Sequence, residues 1–539
     1  MARARKQGRA IALGFLAFAS TGALAGTAPE RDRPKPAAER PNIVFILSDD
    51  HAWQAISAYR QGIASTPAID RIGREGVVLD RMLSPNSLCA PARAMLLTGK
   101  YSHRNGVRDN YDTFNGSQPT LQGLLHKAGY RTALFGKWHL KSTPQGFDDW
   151  EILSDLQGQG RYWNPTFERA TGTIQRQGYA SRLITERTLE WLRARPRDDK
   201  PFLLFMWHKG PHRPFDPDVV ARGAPGPVPA APPAMTPGRG ALPELVSQRM
   251  EVGRDLNPRD LKLRYPAASN SRQRAAWDRR YATANQQYRT NRPLGANQAA
   301  WNYGRYITDY RDAAQSVDDS VGTLLAELDR QNLSSNTIVI YSSDQGFFLG
   351  ERGLFDKRWY FDESLRTPFL MRWPGHIAGG QRAEGLASQV DVLPTLLQAA
   401  GAAPQAGLDG ISFLPALTGN NRDMRKAAYL HYHECPGEHV VPCYYGVATS
   451  RYKLVFLYQL GVRRWELYDR VKDPGETQNL YEDPSYQNVR QELAAELTAL
   501  RKAAQDDADP ETASAILRRF LVTLAERTVK LFQIGESAQ

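Results

Sequence analysis

The chain has 539 residues, 41% of them hydrophobic, with 69 Lys and Arg against 57 Asp and Glu, a formal charge of +12, and three cysteines. That length buries a large core, and beyond the first residues no stretch is long and apolar enough to cross a bilayer, which excludes a membrane-spanning class. A basic balance steers polyanions; with no recognisable nucleic-acid motif, it favours a sulfated or phosphorylated small ligand or glycan over nucleic acid, the alternative being a solvated basic face.

Arg3, Arg5, Lys6 and Arg9 precede an apolar run over 10–18, and Ala23-Leu24-Ala25 follows. This reads as a signal peptide over 1–25 of the Sec type, because the arginines are not adjacent and no Cys stands at the cleavage point. Its removal takes away four cations and leaves +8. The expected location is periplasmic or secreted, with no membrane anchor. Residues 26–40, rich in Pro, Ala and charge, read as a disordered lead-in.

Residues 42–47 form a β-branched, aromatic-rich run that ends in Ser48-Asp49-Asp50, and 337–341 form a second that ends in Asp344-Gln345-Gly346 after two serines. Both are expected to be strands buried on two faces. Further strands are expected over 132–135 and 202–206, with helices over 121–128, 180–193 and 310–329. In the last helix Val317, Val321, Leu324, Leu325 and Leu328 share one face. Alternation of strands and helices argues α/β, with ligands outside the carboxyl ends of the strands. Residues 221–300 change composition and read as an irregular insertion. The catalytic domain is expected over 41–400. A smaller C-terminal domain over 401–539 would hold short antiparallel strands at 428–432, 452–458 and 465–468, a helix at 489–500 and an amphipathic segment at 513–532.

The chemistry-bearing residues follow these strands. Asp49, Asp50, Asp344 and Gln345 offer only hard oxygen ligands, which suit Ca²⁺ or Mg²⁺ over zinc. Lys137 and His139 in Gly136-Lys137-Trp138-His139 put a cation and an imidazole on one extended face. His212 lies between Pro211 and Pro214, and Lys357 in Asp356-Lys357-Arg358-Trp359. In Cys89-Ala90-Pro91-Ala92-Arg93, continuing to Thr98-Gly99, the cysteine stands directly before a pre-organised turn. It is either a thiolate whose pKa is depressed or a small core residue. Cys435 and Cys443 flank a short Pro-Gly loop, and an oxidising compartment would permit them to pair.

C-x-P-x-R, with the Asp-Asp pair, Gly-Lys-Trp-His, the Pro-His loop, Asp-Gln-Gly and Lys357 in this order, resembles the type I, formylglycine-dependent sulfatases of the alkaline phosphatase superfamily, over about 41–480. The resemblance implies an alkaline-phosphatase-like large domain with a central mixed, mostly parallel sheet, and a smaller domain with an antiparallel sheet and helix. It implies a sulfuric-ester hydrolase in which Cys89 is converted to formylglycine by a formylglycine-generating enzyme, which also accounts for an odd cysteine. Asp49, Asp50, Asp344, Gln345 and the modified Cys89 would bind Ca²⁺. Arg93 would hold the formylglycine hydrate, and Lys137 and Lys357 would clamp the sulfate. His139 would act as the base that releases sulfate, and His212, with Lys357, would protonate the departing alcohol. Ala92 stands where many members have Ser, and Gln345 where others have Asn or His.

Asp-Gln-Gly-Phe-Phe-Leu-Gly-Glu and Asp-Lys-Arg-Trp look most like bacterial glycan sulfatases, so the expected substrate is a sulfated saccharide. Tyr444, Tyr445 and Arg451 are candidate contacts to it. One rival is a phosphonate monoester or phosphodiester hydrolase of the same superfamily; another is a non-catalytic binder of sulfated glycan in which Cys89 stays a thiol.

Overall fold

The computed structural model describes residues 40–196, 198–231, 249–419, 424–435, 437–459 and 462–506. The expected signal peptide, the lead-in up to residue 39 and the 513–532 segment lie outside them. The strands in chain order are β1 (Asn42–Asp49), β2 (Val77–Leu83), β3 (Arg131–Gly136), β4 (Asp149–Leu153), β5 (Thr166–Arg169), β6 (Gly172–Gln175), β7 (Phe202–Pro211), β8 (Thr337–Ser343), β9 (Phe348–Leu349), β10 (Phe355–Asp356), β11 (Arg366–Arg372), β12 (Gln381–Ser388), β13 (Ala427–Tyr432), β14 (Cys443–Thr449), β15 (Tyr452–Gln459) and β16 (Val462–Asp469).

Ten of them form one mixed sheet in the order β12-β2-β11-β8-β1-β7-β3-β4-β5-β6. Its centre, β8-β1-β7-β3-β4, is parallel throughout. Val44 of β1 sits between Leu204 of β7 and Val339 of β8, so the first expected strand lies in the middle of the sheet. The period of two sorts its side chains: Ile43, Phe45 and Leu47 enter one core and Val44 and Ile46 the other. The first core is closed by Ala90, Ala94 and Leu97 from the Cys89–Thr98 helix and by Leu121 and Leu125 from the Leu121–Lys127 helix. Leu183, Ile184, Leu189 and Leu192 of the Ala180–Ala194 helix close the second, with the expected Val317, Val321, Leu324, Leu325 and Leu328 face. That face belongs to a longer helix than its periodicity marked, Gly295–Arg330.

Irregular backbone expected across 221–300 is corrected over its second half, where a helix runs over Ser271–Asn291. Asn270 and Gln273 cap it reciprocally, satisfying two of its orphan N–H groups. Its buried face uses Trp277 and Tyr281, packed with Tyr162, Trp163 and Tyr179, rather than aliphatics. Arg280 also turns inward, donating to Asp312 at 2.5 Å.

The C-terminal strands form the expected antiparallel sheet, in the sequential order β13-β14-β15-β16. Val447, Leu454 and Leu467 from it meet Leu493 and Leu497 of the Gln487–Ala503 helix, and the same core takes in Ala92 and Met95 of the Cys89–Thr98 helix. The small sheet thus backs the helix that carries Cys89. Cys435 and Cys443 are joined as a disulfide with Cα atoms 5.1 Å apart. Among the described residues no helix is long and apolar enough to cross a membrane.

Candidate active site

Four adjacent parallel strands, β8, β1, β7 and β3, end at one edge of the sheet, and each delivers polar side chains there. β1 ends in Asp49 and Asp50, β8 is followed by Asp344 and Gln345, β3 by Lys137 and His139, and β7 by His212. Cys89 opens the Cys89–Thr98 helix behind an extended Leu88, so C-x-P is the first turn of a helix rather than a turn after it. Arg93 follows one helical turn later on the same side. Lys357 comes from the segment beyond β10.

Backbone geometry turns these side chains inward. Gly136 has φ +119°, and a Cβ there would lie 1.8 Å from the Trp207 carbonyl, so only glycine lets β3 end against β7. Lys137 N–H then donates to that carbonyl at 2.8 Å. The extended face expected for Lys137 and His139 stops at Gly136, because His139 has φ +56°. Asp50, Asp356 and Arg358 share positive φ, a concentration of strained non-glycine backbone of the kind found at functional sites.

The side chains interlock. Arg93 donates from Nη2 and Nε to Asp344 Oδ2 at 3.0 and 3.3 Å and from Nη1 to the Lys137 carbonyl at 2.5 Å. Lys137 Nζ pairs with Asp49 and donates to Gln159 Oε1 at 2.6 Å. Lys357 Nζ donates to Asp50 Oδ2 at 2.7 Å, and His212 Nε2 lies 3.7 Å from the same oxygen. Gln345 Nε2 pairs with Asp50 Oδ1 and sits 3.6 Å from Cys89 Sγ. Asp49, Asp50, Cys89, Arg93, Lys137, His212, Asp344, Gln345 and Lys357 therefore join one cluster, with His139 buried close enough to feel the charges of Lys137 and Asp49.

Burial raises Asp49, but Lys137, His212, Arg93 and Lys357 outweigh it and hold that carboxylate well below its ordinary range. Burial lifts Asp50 to about 6 against the pull of Lys357, and burial with the Asp49 charge lifts Asp344 well above its ordinary value. Burial, reinforced by Lys137, holds His139 well below the usual imidazole value, and burial does the same to His212. Burial and the Asp49 charge push the Cys89 thiol up to about 12. In the absence of a cation, that burial disfavours Cys89 as an activated thiolate.

The donor set fits a hard divalent cation. One carboxylate oxygen each from Asp49, Asp50 and Asp344 falls within 4.8 Å of the others. Asp49 Oδ1 and Gln345 Oε1 are buried acceptors without a hydrogen-bond partner. A half-turn of the Gln345 amide exchanges its nitrogen and oxygen, bringing a fourth oxygen ligand to the group.

Residues 41–402 match the family model described as Sulfatase, and 350–503 match N-sulphoglucosamine sulphohydrolase, C-terminal. The chain belongs to the sulfatase family. Like its relatives, it is a sulfuric-ester hydrolase. An N-acetylglucosamine-6-O-sulfatase of Bacteroides thetaiotaomicron is 38% identical over 516 residues, covering 91% of this chain and 90% of its own. A solved structure of a protein in complex with its substrate D-glucosamine-2-N,6-O-disulfate is 37% identical, with TM-score 0.84 over 88% of this chain and all of its own. A phosphonate monoester hydrolase of Agrobacterium radiobacter shares the fold at TM-score 0.64 and 22% identity, over 86% of this chain and 96% of its own.

Two groups in this sulfatase escaped the sequence reading. Lys209, inside β7, is buried with Nζ 3.1 Å from the Gln159 carbonyl, and burial with the Lys137 charge lowers it to about 7. A lysine inside an apolar strand two residues before Pro211 was the available signal. Asp356, beside Lys357, accepts from Arg358 at 2.6 Å and lies 3.3 Å from His439, while Arg358 also reaches Glu434 at 3.4 Å. The candidate contacts find other partners: Arg451 pairs with Asp469 at 2.9 Å, Tyr445 packs between Tyr458 and Trp465, and Tyr444 donates to the Arg358 carbonyl at 3.0 Å.

Proposed function

We propose that this sulfatase removes 6-O-sulfate from N-acetylglucosamine-type saccharides, using a formylglycine made from Cys89 and a bound Ca²⁺. The observation that carries this reading is the convergence of Cys89, Arg93, Lys137, His139, His212 and Lys357 on Asp49, Asp50, Asp344 and Gln345, in a chain 38% identical to an N-acetylglucosamine-6-O-sulfatase. Asp49, Asp50, Asp344 and Gln345, with the residue at 89, would hold the cation, which offsets charge on the sulfate oxygens. Conversion of Cys89 by a formylglycine-generating enzyme supplies a hydrated aldehyde oxygen as nucleophile, a role its suppressed thiol cannot fill.

The remaining roles belong to the chain's own side chains. Arg93 orients residue 89 and balances Asp344. Lys137 and Lys357, both buried cations, draw the sulfate oxygens into the pocket. His139, kept neutral, has an unpartnered buried Nδ1 ready to take the proton of the residue-89 hydroxyl. The Lys357 ammonium, 2.7 Å from Asp50, is the proton source for a departing alkoxide, and the neutral His212 imidazole, whose side chain is 15% exposed and whose Nε2 lies across the same carboxylate, is placed to relay that proton. Asp356, Arg358 and His439, beyond Lys357, supply donors and acceptors for sugar hydroxyls. The Cys435–Cys443 disulfide supports an oxidising location, periplasmic or secreted.

The deciding experiment compares sulfate release from N-acetylglucosamine 6-sulfate and glucosamine 2-N,6-O-disulfate with turnover of an aryl phosphonate monoester. The protein is made together with a formylglycine-generating enzyme. The 6-sulfates should be preferred in kcat/KM by orders of magnitude. Equal or faster phosphonate turnover would overturn the reading, and binding of the sugars without sulfate release would leave a glycan binder.

A further inference from the structure

A second group of ligating side chains shares no residue with the acidic pocket. His103 follows the Cys89–Thr98 helix, His431 lies on β13 and His433 just past its end, and Asp506 follows the Gln487–Ala503 helix. One ring nitrogen from each imidazole falls within 4.8 Å of the other two. Asp506 Oδ2 lies 2.5 Å from His431 Nδ1 and 3.6 Å from His103 Nδ1.

The protons are fixed from outside the group. His103 Nε2 lies 2.7 Å from the Ala504 carbonyl, and since a carbonyl only accepts, Nε2 carries the proton and Nδ1 keeps its lone pair. That Nδ1 is buried and has no hydrogen-bond partner. His431 Nε2 bonds Tyr458 Oη at 2.9 Å, and its Nδ1–H donates to Asp506 Oδ2, so a cation shared by these two groups displaces that proton. Tyr429 donates to Asp506 Oδ2 at 2.7 Å. His433 is 9% exposed, and its Nε2 is buried without a partner.

Imidazoles whose far nitrogens are tied to carbonyl or hydroxyl groups, beside a carboxylate held by a phenol, are how proteins orient metal ligands. Two buried ring nitrogens, His103 Nδ1 and His433 Nε2, have no hydrogen-bond partner, and an unpartnered buried imidazole nitrogen calls for a ligand. We propose that His103, His431, His433 and Asp506 form a second metal site that takes a borderline divalent cation, zinc by its donor set. Three nitrogens and one carboxylate oxygen suit zinc in tetrahedral geometry, unlike the all-oxygen acidic pocket. With four protein ligands the site is closed and structural: it clamps β13 and the end of the Gln487–Ala503 helix to the segment that follows the Cys89 helix.

The test uses the full chain with Ca²⁺ in excess, stripped by a zinc-selective chelator, then exposed to Zn²⁺ and desalted. Elemental analysis should find a single retained zinc per chain, zinc X-ray absorption should show an imidazole-rich shell, and zinc should raise Tm. His433→Ala and Asp506→Asn should lose both the zinc and the Tm response. The proposal fails if the wild type retains no zinc, if its shell is all oxygen, or if His433→Ala retains zinc equally. Should His433→Ala not fold, the absorption spectrum of the wild type decides alone.

Discussion

Arg93 donates to the Lys137 backbone carbonyl at 2.5 Å, so the residue one turn after Cys89 is tied to the end of β3 as well as to Asp344. The guanidinium satisfies both at once because its donors form a rigid fork. Lysine at this position reaches one partner. Arg93→Lys should therefore lower kcat by about a hundredfold or more, the usual cost of losing one preorganised charge-stabilising donor. Arg93→Ala leaves Asp344 buried without its partner and should cost about 3–5 kcal/mol of stability, read by denaturant unfolding. Wild-type kcat in Arg93→Lys would take Arg93 out of the machinery.

Cys89 is 1% exposed and its thiol is pushed up to about 12. In unconverted protein at pH 8, about one thiol in ten thousand is then ionised. Iodoacetamide should leave native Cys89 unlabelled and label it after denaturation, read by peptide mass spectrometry. Rapid native labelling would contradict the packing around it. Cys89→Ala, which removes one sulfur from a covered position, should fold with nearly unchanged Tm and show no turnover.

The acidic pocket sets a metal-dependent pH profile. With the cation chelated, Asp50 has a folded pKa of about 6, raised by burial from an unfolded value near 3.8. Between those values the folded state binds more protons than the unfolded one, so stability falls as pH rises through the window. Buried neutral His139 and His212 act in the opposite sense, so the Asp50 contribution is read as a difference: the Tm of chelated wild type relative to chelated Asp50→Asn should be higher at pH 5 than at pH 7. Ca²⁺ removes that penalty and should restore both Tm and activity at pH 7. A Tm difference between chelated wild type and chelated Asp50→Asn that is the same at both pH values would show that Asp50 is not under this strain.

The positions of the chemistry were legible because the acids, Lys137 and His212 all follow short, continuous apolar runs, β-branched in β1 and β8 and aromatic in β7, which read as strands buried on both faces. Strands outside that pattern were not legible. β2 carries Asp80 and Arg81 at its middle, and β12, Gln381–Ser388, is polar along its first half. The Ser271–Asn291 helix buries Trp277, Tyr281 and Arg280 where aliphatics were sought. Lys209 and Gln159 belong to the site through a contact between distant segments, which no local pattern carries.

Lys209 gives the last prediction. Burial and the Lys137 charge bring its folded pKa down to about 7 from 10.5. The ammonium is present below pH 7 and lost above it, while the unfolded chain keeps its proton to about pH 10.5. The unfolded state thus binds more protons across that window, and this group alone makes stability rise with pH from 7 upward. Anion attraction runs the other way, since the charge beside Lys137 disappears as the same proton leaves. KM for a sulfate ester should climb above pH 7 in the wild type. In Lys209→Met the charge is absent at every pH, so KM should start several-fold higher and this limb of the profile should flatten. Lys209→Arg, which holds its proton throughout, should keep KM low into the alkaline range. Measuring KM from pH 6 to 9 for the three proteins separates this from titration of His139 and His212, which burial already holds neutral across that range. An unchanged alkaline limb in Lys209→Met would assign it to another group.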